Sequence, residues 1–158
     1  MKKTFLLLLF FVFAVYSEPF AADYVWGKTK WGMTIAQVNK AVGKKFKFHQ
    51  KNKNGDDVYV LNGHKVGKYF YDVHAVFGSG GLSQILILKK GAQQEIKDAC
   101  SEIAANLNSR ADGKGILAGQ GASSRNWQTK DANISLLCLQ DDLFLNYSKI
   151  KNDGTSDF

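Results

Sequence analysis

The sequence is short of the residues that announce chemistry. It has two cysteines, three histidines and one proline in 158 residues. Two cysteines cannot build a disulfide-dense scaffold, and they are too far apart for a Cys-x-x-Cys redox pair. The histidines form no His-Glu-x-x-His zinc motif. Ser79 in Gly78-Ser79-Gly80 lacks the full Gly-x-Ser-x-Gly elbow and precedes a strand pattern, not a helix. The glycines at 113, 115, 119 and 121 follow a helix pattern, whereas a dinucleotide fingerprint opens one. Asp153, Gly154 and Asp157 lack the spacing of a calcium loop. These gaps argue against an enzyme and predict no metal and no cofactor.

Apolar residues are plentiful, at 45%, but unevenly placed. Lys2 and Lys3 precede an apolar run from Phe5 to Val15, the pattern of a signal peptide over residues 1–22. Cleavage is expected after Ser17 or after Ala22. The run is too short for a spanning helix, and no later segment could supply one. The expected mature protein is periplasmic or secreted and has no transmembrane segment. Its charge changes with processing. The chain carries 21 basic and 14 acidic residues; without Lys2 and Lys3, 19 basic residues face 14 or 13 acids, giving +5 or +6.

Residues 23–150 read as one α+β domain, followed by a polar tail over 151–158. Two Trp-Gly pairs, at Trp26-Gly27 and Trp31-Gly32, precede a short helix. Thr34 caps it, Gln37 completes a capping box and Gly43 stops it. A polar, basic stretch runs from 44 to 57. A short strand is expected at Val58–Leu61, with Asn62-Gly63 turning the chain. Tyr69–Phe77 alternates, Leu82–Leu88 is apolar on both faces and reads as a central strand buried on both, and the two runs around Gly78–Gly81 predict a hairpin. The alternation puts Tyr71, Val73, Ala75 and Phe77 on one face. Phe70, Asp72, His74 and Val76 take the other.

A longer helix is expected over Gln93–Arg110, with Ile96, Cys100, Ile103 and Leu107 on its apolar stripe. Strands at Ser124–Thr129, Asn133–Gln140 and Leu143–Ile150 close the chain. The sum is a two-layer domain: a mostly antiparallel sheet of about six strands, one short and one long helix on one face, and an α-β-β-β repeat hinted at. Cys138 shares its strand face with Ile134 and Leu136, and Cys100 lies on the helix stripe. Both point between helix and sheet, so a Cys100–Cys138 disulfide is expected, with two buried thiols as the alternative.

The segment Trp26-Gly27, Trp31-Gly32-Met33-Thr34 and Val38 resembles the start of small exported bacterial Trp-Gly-motif α+β proteins of poorly defined function. The layout that follows resembles theirs across most of the mature chain. It departs where they carry a Tyr-Gly-x-Pro-like turn, since Arg110-Ala111-Asp112-Gly113 stands there without proline. Related layouts occur among small periplasmic inhibitor folds and outer-membrane assembly lipoproteins, as analogies of architecture only.

The strongest bias is basic. Lys40, Lys44, Lys45, Lys47, Lys51 and Lys53 occur with no acid before Asp56, and Phe46, Phe48 and His49 are interleaved. Such a stretch is either a solvated loop or a docking element for an acidic protein or anionic envelope component. Trp26, Tyr69 and Phe70 are further candidates for contact, with a core position the alternative for Trp26. No base-stacking motif points to nucleic acid. The reading this supports is an exported, non-enzymatic protein-binding module, in its sharpest form an inhibitor or immunity protein. A small-molecule carrier or hydrolase built on Asp72 and His74 is one alternative, and an envelope-assembly accessory factor is another.

Overall fold

A computed structural model describes residues 26–109 and 123–150. The expected signal peptide, the glycine-rich stretch and the polar tail lie outside the described residues. The elements run α1 (Ile35–Val42), β1 (Lys47–Lys51), β2 (Asp57–Val66), β3 (Tyr69–Gly78), β4 (Gly81–Lys90), α2 (Gln93–Asn108), β5 (Ser123–Gln128), β6 (Ala132–Cys138) and β7 (Asp142–Lys149). Seven strands form one antiparallel sheet in the order β1-β2-β3-β4-β7-β6-β5. The sheet has one strand more than expected.

The order reads alike from both sides of the β4–β7 pair. β2-β3-β4 forms one meander and β5-β6-β7 another, each preceded by a helix and joined last strand to last strand. This is the α-β-β-β repeat, with β1 added outside it.

Both helices cover the same face. Val38 of α1 and Ile96, Ala99, Cys100, Ala104 and Leu107 of α2 share one core with alternate strand residues, among them Val73, Ile85, Leu136 and Leu145. Burial pushes the Tyr71 phenol in this core up to about 12, which keeps it neutral. Val58 and Val76 are also buried but belong to the opposite face, outside this core.

Local chemistry explains the element boundaries. Gln37 N–H donates to Thr34 Oγ1, and Thr34 N–H donates to Gln37 Oε1, so the capping box is closed at both ends. Gly43 takes φ 68° at the other end of α1. The alternation over β3 holds as expected, whereas β4 buries Ile85 and Ile87 on the helix side and leaves Leu86 and Leu88 half-buried, because no described layer covers the other face. β2, however, runs ten residues and passes through Asn62-Gly63 without turning. A bulge between Leu61 and His64 absorbs these residues, and Gly63 N–H donates to Asp72 Oδ1 at 2.8 Å. The turn comes later, at Gly67-Lys68.

The Trp-Gly motif also has a structural account. Gly32 N–H donates to Leu82 O at 3.0 Å, and Leu82 N–H donates to Met33 O at 2.9 Å. The segment before α1 is thereby pinned to the start of β4.

Candidate functional site

The basic stretch is not a loop throughout. Its centre is β1, an edge strand in which all five residues, Lys47 to Lys51, are exposed. Lysine replaces the alternating apolar residues that mark a half-buried strand. Pairing with β2 and a bulge at His49 set its course. Among the described residues, no hydrogen bond from another element reaches its outer main-chain edge. Lys44 and Lys45 precede the strand, and Lys53 sits in the turn after it; all three are exposed.

The cations divide by partner. Lys51 Nζ lies 2.6 Å from Asp57 Oδ1 and donates to Gly55 O, so it closes the β1–β2 hairpin. Lys44, Lys45, Lys47 and Lys53 have no carboxylate at ion-pair distance among the described residues. Lys44 lies close enough to His64 that its charge, after burial, helps hold that imidazole below its usual value.

The aromatic candidates separate sharply. Phe46 is 3% exposed and packs edge-on to Trp26, and Tyr69 is 6% exposed between the Lys68 and Lys89 ammonium groups. Both rings are buried. Tyr69 has the strand parity of Tyr71, Val73 and Ala75, and that parity is what buries it. Phe70 remains outside at 58% exposure, with Lys65 Nζ 5.8 Å from its ring centre. Phe48 is exposed at 56% and leans edge-on against Tyr59, which leans in turn on Phe77. The three rings step inward from the edge across β1, β2 and β3.

Asp72 and His74 do share a face, and each is engaged by a different neighbour. Asp72 is exposed and engaged with the Gly63 N–H. His74 faces His49 across β2, with ring centres 6.2 Å apart. Burial and the neighbouring His49 hold His74 below its usual pKa, against a smaller opposing pull from Asp72. No group of three metal-ligating side chains occurs among the described residues.

Cys100 and Cys138 form the expected disulfide, with S–S 2.05 Å, tying α2 to β6. A cleft of about 520 Å³ opens beside it; its charged lining residues, Lys97 and Arg125, are both basic and offer no acid–base pair. No described helix is long and apolar enough to cross a membrane. No family model, no curated protein and no solved structure matches the chain.

Proposed function

We propose that this protein is an exported, non-enzymatic binding module that holds an acidic protein segment along β1. The observation that carries the reading is the fully exposed edge strand, flanked by cations that lack acidic partners. An open edge supplies main-chain donors and acceptors for an added strand. Lysines and a bulge on an edge discourage two like-charged copies from pairing. The same charges attract an acidic strand, so the device that blocks self-association selects the partner. Phe48 adds an apolar anchor, with Tyr59 behind it. An inhibitor or immunity protein is the sharpest form of this role. The disulfide fits an oxidising compartment, as does the apolar run behind Lys2 and Lys3.

Two measurements test it. N-terminal sequencing of the protein from an expressing bacterium should begin at Glu18 or Asp23; an intact Met1 start removes the export premise. Affinity capture from envelope extract should then recover a partner that cross-links through Lys45 or Lys47. A Lys45→Glu/Lys47→Glu/Phe48→Ala variant should lose that partner. Equal recovery by this variant defeats the edge-strand reading.

A further inference from the structure

The sheet face away from the helices changes character across its width. Three registered rows of outward residues cross β4, β7, β6 and β5, and beyond the third the charged pair Lys90 and Asp142 closes the end of β4 and β7. The first is Gln84, Ser148, Asn133 and Gln128; the second is Leu86, Asn146, Ser135 and Asn126. Seven of these eight positions are amide or hydroxyl, and none is charged. The third row is Leu88, Phe144, Leu137 and Ser124, mostly apolar, with Leu137 36% exposed. Elsewhere the exposed positions mix neutral and charged groups: α2 exposes Gln93, Gln94 and Ser101 beside Glu95, Lys97, Asp98 and Glu102, and β1 exposes Gln50 beside Lys47 and Lys51.

We infer that this face is a binding site for a neutral oligosaccharide. Side-chain amides each present both a donor and an acceptor, as sugar hydroxyls do. The absence of charge from these three rows favours an uncharged ligand over an acidic or basic one. The neighbouring apolar row, centred on Phe144, matches the C–H face that a pyranose ring shows beside its hydroxyl rim. Asn126, Gln128 and Asn133 are exposed, while Asn146 is held in place by an amide hydrogen bond from Gln84 Nε2 at 2.7 Å. The two polar rows border a depression of about 450 Å³. Strands lie about 4.8 Å apart and alternate residues about 6.8 Å apart, so four strands span a short chain of sugars rather than one ring. β4, β7 and β6 are paired on both sides, so recognition there falls to side chains and not to an added strand. The site is separate from the β1 edge and does not depend on the role proposed for it.

The test is an amide-resolved NMR titration of the folded protein with neutral tetrasaccharides of glucose and of N-acetylglucosamine, beside a uronic-acid tetrasaccharide as the charged control. At least one neutral sugar should give saturable shifts at millimolar concentration, centred on Asn126, Asn133, Ser135 and Asn146 and their side-chain amides. An Asn126→Ala/Asn133→Ala variant should bind about tenfold or more weakly. Asn126→Asp should weaken the neutral sugar while leaving the melting temperature near that of the parent, which separates recognition from folding. The inference is overturned if no neutral sugar saturates, if the charged sugar binds better, or if the double variant binds as well as the parent.

Discussion

Gly81 lies against Gly32 so closely that a side chain on Gly81 would collide with the Gly32 carbonyl. Gly81 also has φ 83°, a conformation that side chains resist. The Gly32 and Met33 main chain crosses the start of β4 at this point, and Leu82 exchanges hydrogen bonds with both. Gly81→Ala is expected to destabilise the fold by roughly 3 kcal/mol, since strain and backbone collision add. Gly27 has φ 59° but open space around it, so Gly27→Ala should cost only about 1 kcal/mol. Urea denaturation of the two variants measures the difference. Equal losses would mean that conformation alone matters at Gly81.

Lys89 is a buried cation on the core-facing side of the sheet. It is 7% exposed and shares the core-facing parity of Ile85 and Ile87. Its Nζ sits 2.7 Å from Glu95 Oε1 in the first turn of α2, and 5.3 Å from the Tyr69 ring centre. Glu95 is half in solvent, so it loses little by being left alone; Lys89 does not share that escape. Glu95→Ala should therefore cost about 1–2 kcal/mol, while Lys89→Met should fall within about 1 kcal/mol of the parent or exceed it. Chemical denaturation reads this asymmetry directly. The reverse order would show that the ammonium, not its desolvation, is what the fold needs.

The disulfide closes a sequence separation of 38 residues. Loop-closure arguments put its contribution at about 4 kcal/mol. The Cys100→Ala/Cys138→Ala variant should lose stability on that order. Alkylation under denaturing conditions should modify no cysteine before reduction and two after it, as intact mass will show.

Two imidazoles set a pH dependence. Burial first, and then Lys44, hold His64 below its unfolded value; burial first, and then His49, do the same for His74. Each is harder to protonate in the fold than in the unfolded chain, so the unfolded state takes up more protons as pH falls. The stability they provide is complete above the unfolded value of about 6.5 and is lost as pH drops through the folded values. Denaturation midpoints should fall between pH 7.5 and pH 5 by an amount that His64→Asn/His74→Asn reduces.

Periodicity exposed some of this structure and concealed the rest. The β3–β4 hairpin was legible because Tyr71, Val73 and Ala75 alternate with polar residues. The cap of α1 was legible because Thr34 and Gln37 stand at fixed spacing. The disulfide followed from two cysteines on two inward faces. β1 was hidden, because an edge strand need bury nothing, and Lys47 to Lys51 show no apolar alternation. Asn62-Gly63 read as a turn because the bulge that holds it depends on Asp72, ten residues after Asn62. The amide rows were present as Asn126-x-Gln128, Asn133-x-Ser135 and Asn146-x-Ser148. Only registration of the strands shows that they meet.

The strand order has a consequence for synthesis. Among the described strands β7 is the last to leave the ribosome, yet it lies between β4 and β6, not at an edge. The β2–β4 meander has short turns and can form early, but its inner edge at β4 waits for Leu143 and Leu145 to arrive. Loss of a few C-terminal strand residues would therefore split the molecule down its middle, whereas loss of β1 would only trim a side. The centre of this sheet is completed only by the last of its described strands.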